Sequence, residues 1–119
     1  MDALKKERLV AAGIDVDSAL ERFMGNDALL ERFLGKFLAD TNYAALAAAV
    51  EAGDPNGALT ASHTLKGVCG NLSMPELFRL LTCQVEALRA DDWNRAAGLM
   101  PEISRAYETV VRAIEEGRG

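Results

Sequence analysis

The segment SHTLKGVCGNL, residues 62–72, contains the chain's only histidine, His63, and two glycines that follow it by four and seven residues. Those spacings place all three residues on one face of an α-helix. Each glycine inside a helix costs about 1 kcal/mol relative to alanine, so two on one face are expected to serve a purpose. The segment therefore predicts a helix whose histidine face is specialised.

The face opposite the histidine is apolar. On a helical wheel with His63 at zero, the residues within roughly 60° of the far side are Ala58, Ala61, Leu65, Val68, Cys69 and Leu72. The near side carries Asn56, Gly67 and Gly70 instead. A buried histidine would be surrounded by large apolar side chains, so we predict that His63 is exposed. The bare backbone at the two glycines would let another macromolecule approach the imidazole.

The rest of the chain also predicts helices, because no stretch shows the two-residue alternation of a strand. Cap and stop signals delimit five helices. The first three are a short helix from Asp15 to Met24, a long helix from Asn26 to Gly53 with a possible break near Thr41, and the histidine helix from Asp54 to Leu72. The fourth runs from a Ser73–Glu76 capping box to Ala90, and the last runs from Asp91 to Glu115 or Glu116 and is kinked or divided by Pro101. Short connections between long amphipathic helices indicate antiparallel neighbours. We predict an all-α fold, an antiparallel four-helix bundle with a short extra N-terminal helix.

Length and charge limit the possible classes. The 119 residues suit a single domain, with residues 1–12 as a flexible or helical N-terminal extension. A net charge of −5 argues against a nucleic-acid binder, which needs a basic surface. The apolar runs are shorter than the ~20 residues that span a bilayer, and no leader is recognisable. We therefore expect a cytoplasmic protein without membrane contact, unless the chain is a piece of a longer membrane-bound polypeptide. Cys69 and Cys83 are expected to be free thiols, and a disulfide between them is the alternative if their helices are adjacent.

His63 and Lys66 together suggest phosphoryl chemistry. Imidazole is a nucleophile near neutral pH, and an ammonium group one helical turn away can neutralise a phosphoryl group carried on the ring. A metal site is a poor fit, because no second histidine exists and Cys69 points to the other side of the helix. Hydrolase chemistry is also unsupported, because it would need a base that is held by a third group within reach of the nucleophile. The residues are those of a transient phosphohistidine.

The segment HTLKGVCGNLS, residues 63–73, resembles the histidine-containing phosphotransfer (HPt) domain family. The positions that fall on the family's usual pattern are His63, Leu65, Lys66, Gly67, Asn71 and Leu72. Residues 13–40, GIDVDSALERFMGNDALLERFLGKFLAD, look like the family's first two helices, and residues 91–110, DDWNRAAGLMPEISRAYETV, are similar to its last. The resemblance covers nearly the whole chain after about residue 13.

This resemblance implies a four-helix bundle that acts as a phosphocarrier in a multistep two-component phosphorelay. By position, His63 would be the phosphoacceptor, Lys66 the phosphate partner and Gly67 the residue that clears the approach. The partners would be receiver domains of response regulators or hybrid histidine kinases. We expect a monomer with no cofactor, no metal of its own and no autonomous kinase activity.

Two further expectations concern the surroundings of the histidine. The family often has glycine ten residues after the histidine, where this chain has Ser73. A hairpin centred near Ser73 brings Gln84 to the height of His63, where its amide could bond the imidazole or the phosphoryl oxygens. The partner surface would be the strip from Gly67 to Gly70, flanked by apolar residues such as Leu20 and Met24.

The sequence is also compatible with two other functions. One is a helical docking module for a receiver or kinase domain that takes no phosphate; the presence of His63 argues against it. The other is a small enzyme that uses His63 as a general base, which lacks a second catalytic group. A surface histidine without any role is the commoner case for a lone histidine, and Lys66, the two glycines and the whole-chain resemblance argue against it here.

Overall fold

The protein's computed structural model describes residues 1–118, which form eight α-helices and no strand. The predicted all-helical class is confirmed. The helices are α1 (Ala3–Ala11), α2 (Val16–Arg22), α3 (Asp27–Phe37), α4 (Asn42–Glu51), α5 (Pro55–Asn71), α6 (Pro75–Arg89), α7 (Trp93–Gly98) and α8 (Met100–Arg118). Within residues 1–118, no helix has the length and apolar character needed to cross a bilayer.

Capping side chains set most of the helix starts. In five helices the residue before the first turn accepts a hydrogen bond from the backbone N–H three positions ahead, and these residues are Asp2, Asp15, Asn26, Asp54 and Asp92. Such a bond satisfies one of the N–H groups that have no partner inside the helix. The predicted starts at Asn26 and Asp54 are confirmed, and Pro55 occupies the first helical position of α5.

The two breaks considered in the sequence are both present. The long helix predicted from residue 26 to 53 divides into α3 and α4, and the Asp40 carboxylate accepts hydrogen bonds from the backbone N–H and the side-chain amide of Asn42. Those bonds favour a turn over a continuous helix. The last predicted helix divides at Leu99, so that Pro101 lies in the first turn of α8, where its missing N–H breaks no hydrogen bond.

The predicted capping box at Ser73 and Glu76 is wrong. Met74 precedes α6 and makes no side-chain capping bond, while Ser73 has a φ of 53° and ends α5 instead. The Met74 N–H donates to the Cys69 carbonyl and the Ser73 N–H to the Gly70 carbonyl, which is the Schellman pattern of a helix C-terminus. The hydroxyl of Ser73 donates to that of Ser18, and its carbonyl accepts from the Asp15 N–H, so this turn ties α5 to the start of α2.

Most of the N-terminal extension, Ala3–Ala11, forms a helix, and a helical form was one of the two expected for it. Leu9 of α1 is buried, and α1 packs against α8 and α2. The amino group of Met1 lies 3.0 Å from the Asp27 carboxylate at the start of α3. Two short helices therefore precede the longer ones: α2 corresponds to the predicted short helix from Asp15 to Met24, and α1 lies in the N-terminal extension.

The core lies between the longer helices. α5 packs mainly against α4 and α6, while α8 contacts α1, α3, α6 and α7. The largest fully buried side chains include Phe37, Leu46, Leu65, Leu81 and Ile103, which come from α3, α4, α5, α6 and α8. Each longer helix thus contributes to one apolar cluster. α5 is held on two sides, which leaves its third side for solvent.

The two cysteines are free thiols, as expected, and differ in burial. Burial raises the pKa of the Cys69 thiol to about 12, and the Asp40 carboxylate adds a smaller increase. Because the thiolate is the reactive form, we expect only the half-buried Cys83 to react rapidly with DTNB in the native protein at about pH 8. Both thiols should react after unfolding in guanidinium. Rapid reaction of the native Cys83→Ser variant would contradict this.

Candidate functional site

His63 lies in the middle of α5 with its side chain exposed, as predicted. The predicted core face is buried at Ala58, Ala61, Leu65, Cys69 and Leu72, and half-buried at Val68. A 3.6-residue repeat fixes which side chains face inward once the helix packs on one side. The apolar face of α5 therefore turns the imidazole outward.

The ring nitrogens of His63 are available to an incoming group. Among the hydrogen bonds of residues 1–118, none involves the imidazole. The two neighbouring threonines on this face direct their hydroxyls to their own helix: Thr60 donates to the Asn56 carbonyl at 3.1 Å, and Thr64 to the Thr60 carbonyl at 2.9 Å. Their polar atoms are occupied within α5.

The two glycines after the histidine have different surroundings. A Cβ added to Gly67 would find no atom within 4 Å, so the backbone beside His63 is open there. A Cβ added to Gly70 would lie 3.1 Å from Cε2 and 3.2 Å from Cδ2 of Phe78. The prediction of a bare strip is correct at Gly67 and wrong at Gly70, because the Phe78 ring of α6 covers that backbone.

Lys66 is half-buried, and its ammonium lies over the same aromatic ring. The Nζ atom is 5.5 Å from the centroid of Phe78, a cation–π distance. Phe78 itself is 40% exposed, which is high for a large apolar side chain. Lys66 and Gly70 on α5 and Phe78 on α6 thus form one cluster on the C-terminal side of His63.

Gln84 lies level with the histidine along α5, as predicted, but its side chain points into the core. Its side chain is fully buried, where Oε1 accepts from the Ser62 hydroxyl at 2.8 Å and Nε2 donates to the Ala96 carbonyl at 3.0 Å. The amide therefore does not bond the imidazole, which was one of the two partners considered for it, because Ser62 and Ala96 hold it in the core. Gln84 instead links α5, α6 and α7 directly behind the histidine.

Two shallow grooves flank the exposed face of α5 at its C-terminal end. One, of about 450 Å³, is lined by Arg22, Gly67, Gly70, Asn71, Met74, Pro75 and Phe78. The other, of about 490 Å³, is lined by Arg22, Phe23, Phe33, Lys36, Phe37, Asp40, Val68, Asn71 and Leu72. Arg22 and Asn71 line both, so the grooves adjoin. Met24 is 94% exposed and follows Arg22 by two residues, whereas Leu20 is half-buried.

Sequence reasoning missed Phe78 and Arg22 as parts of this surface. A signal existed for Phe78, because it lies about 80° from the centre of the apolar stripe that Leu77, Leu81 and Leu88 form on α6. An aromatic residue outside the buried stripe of its own helix is a candidate for a surface role. For Arg22 the sequence holds no comparable signal, since exposed arginines are common.

Within residues 1–118, no group of three or more histidine, cysteine or acidic side chains is arranged to hold a metal ion. Comparison with protein-family models, with curated proteins and with solved structures found no match.

Proposed function

We propose that this protein is a phosphocarrier whose phosphoacceptor is His63. The observation that carries the proposal is an exposed imidazole without a hydrogen-bond partner, beside open backbone at Gly67 and within one helical turn of Lys66. On this basis, and on the sequence resemblance, we further propose that the chain is a histidine-containing phosphotransfer domain. It would accept a phosphoryl group from a receiver-domain aspartate and pass it to another receiver.

The proposal includes the finer architecture. An antiparallel bundle would have four long members, which are α3 and α4 taken together, α5, α6 and α8. The short helices α1 and α2 would be added at the N-terminal side. The contacts of α4 with α5, α5 with α6, α6 with α8 and α8 with α3 support this arrangement, because they close a ring of neighbours. In that ring the outward face of α5 is the one that carries His63.

In the proposed transfer, an imidazole nitrogen of His63 attacks the phosphorus of the partner's aspartyl phosphate. A nitrogen–phosphorus bond forms, the acyl oxygen–phosphorus bond breaks, and the aspartate leaves as a carboxylate. The transition state is loose and in line, so positioning and charge neutralisation provide most of the catalysis. Lys66 would supply a cation from this chain, and the receiver would bring its own acidic pocket and Mg²⁺.

The surface around His63 suits transient docking. Three large apolar side chains, those of Met24, Phe33 and Phe78, are exposed at 94%, 38% and 40% in or beside the two grooves. Arg22 and Lys36 add positive charge, although the chain as a whole is acidic. Apolar anchors surrounded by charge are typical of protein interfaces, and a transient complex needs only a modest one.

Gly67→Leu is expected to slow transfer from a receiver roughly 10- to 100-fold, because the new side chain would occupy the partner's approach and misplace the reacting atoms. The free protein should stay folded, since the side chain enters open space and leucine favours a helix over glycine by about 0.8 kcal/mol. Rates of transfer and thermal unfolding would be measured on the same samples. Gly67→Ala is the matched control with a smaller loss; an undiminished rate for Gly67→Leu would contradict the proposed approach.

The proposal is tested with receiver domains encoded in the same genome, each charged with radiolabelled acetyl phosphate and mixed with this protein. Transfer from at least one receiver, giving an acid-labile and base-stable label that maps to His63, is the expected result. A receiver that binds without transferring phosphate would favour the docking module instead. Absence of both transfer and binding across the panel would remove the proposal.

A further inference from the structure

The ammonium of Lys66 contacts an aromatic ring rather than an acidic side chain. Among the ion pairs of residues 1–118, none includes Lys66. Its ammonium is placed by an aromatic face instead, 5.5 Å from the Phe78 centroid. A lysine side chain has four flexible torsions, so a defined position for its ammonium requires such a contact.

Phe78 in turn has a seat on α5. Its ring lies so close to Gly70 that a Cβ there would be 3.1 Å from Cε2, which is tighter than an ordinary van der Waals contact. Gly70 is therefore needed for the ring to approach α5, while Gly67 is needed for access. The two glycines of the histidine face have separate purposes, and the second one acts through Phe78.

We propose that Phe78 is a positioning residue for phosphoryl transfer: its ring, seated on Gly70, holds the ammonium of Lys66, the residue one helical turn from His63. This inference rests on the proposed function, because it assigns a part in the same chemistry. An aromatic face attracts the ammonium without neutralising its charge. A carboxylate would neutralise it and would compete with the phosphoryl group for the ammonium. The lysine is thus held in place while its positive charge remains available to an anion on the imidazole.

Phosphoramidate tests this without a protein partner. The imidazole attacks its phosphorus, the reagent's phosphorus–nitrogen bond breaks, and ammonia leaves with the electron pair of that bond. Lys66 is expected to accelerate this step by attracting the anionic donor. The rate of His63 labelling then reports where the ammonium is held.

We expect Phe78→Leu to label about two- to fivefold more slowly than the wild type, the range that corresponds to an exposed cation–π contact. Phe78→Tyr keeps the aromatic face and should label at the wild-type rate. In the Lys66→Met background, Phe78→Leu should have no further effect. Equal rates for the wild type and Phe78→Leu, or an unchanged loss in the Lys66→Met background, would overturn the assignment.

Gly70→Ala provides a second variant on the other side of the contact. It should displace the ring and slow labelling in the same direction as Phe78→Leu, again only when Lys66 is present. The NMR signals of the Lys66 ε-protons should be shifted upfield by the ring in the wild type and return to ordinary positions in Phe78→Leu. Unshifted signals in the wild type would contradict the contact itself.

The failure of this inference is distinguishable from that of the proposed function. If no receiver transfers phosphate but the Phe78 series behaves as expected, the phosphocarrier function fails and the positioning of Lys66 stands. If receivers transfer phosphate and the Phe78 series shows no dependence on Lys66, the function stands and the positioning role is lost.

Discussion

The His63→Gln variant is expected to accept no phosphoryl group, either from a charged receiver or from phosphoramidate. Glutamine is similar in polarity but has no nucleophilic ring nitrogen, so the nitrogen–phosphorus bond has no site at which to form. The variant should stay folded, with a free energy of unfolding within about 0.5 kcal/mol of the wild type, because the side chain is exposed and makes no hydrogen bond. Label incorporation and thermal unfolding measure the two quantities.

The matched control for this loss is Thr64→Ala. Thr64 is the exposed neighbour of His63, and its hydroxyl bonds only to the Thr60 carbonyl within α5. Labelling by phosphoramidate should therefore match the wild type. Acid-labile label that persists on His63→Gln would place the phosphoryl group on another residue and contradict the assignment of His63.

The Gln84→Ala variant is expected to lower the free energy of unfolding by about 2–4 kcal/mol. The change removes a buried amide that bonds the Ser62 hydroxyl and the Ala96 carbonyl, so both groups lose a partner inside the protein and a cavity forms. Folded molecules should still take phosphate on His63 at the wild-type rate, because the amide does not reach the imidazole. Chemical denaturation gives the first quantity and phosphoramidate labelling of the folded fraction the second.

Glu86→Ala is the control on the same helix. Glu86 is exposed and two residues from Gln84, so its removal should change stability by less than about 0.5 kcal/mol. If Gln84→Ala instead unfolded like the wild type but lost labelling, Gln84 would have a direct role at the imidazole, as a hairpin centred near Ser73 would allow.

Local signals in the sequence were enough to place most helices. A capping residue and a 3.6-residue repeat act within one or two turns, so they do not depend on what the rest of the chain does. Asn26 and Asp54 start helices where expected, and Asp40 interrupts one near the expected point. The exposure of His63 belongs to the same class, because the apolar face of its own helix decides it.

Ser73 shows where a local signal misleads. The spacing from Ser73 to Glu76 fits a capping box, yet the backbone there is left-handed with a φ of 53°, and the serine ends the preceding helix. The resembled family often has glycine at this position, and glycine adopts that conformation most easily. Ser73 therefore ends α5 and bonds Ser18 on α2, and it does not cap α6.

Local patterns indicate whether Gln84 and Phe78 are buried, but not which groups they contact. Gln84 shares the stripe of Leu77, Leu81 and Leu88, which indicates burial, but its amide is satisfied there by the Ser62 hydroxyl from α5 and the Ala96 carbonyl from α7. Phe78 became part of the site because α6 packs against α5 at the height where Gly70 leaves room. Both positions depend on how separate helices meet.

The order of residues alone was sufficient for the helical class, the outward imidazole and the open backbone at Gly67, because each follows from periodicity or capping within a single helix. The packing of α6 against α5 and α7 placed the Phe78 ring against the second glycine, the ammonium of Lys66 over that ring and the amide of Gln84 in the core. Those contacts join residues distant in the chain, and their partners are defined only when the helices come together.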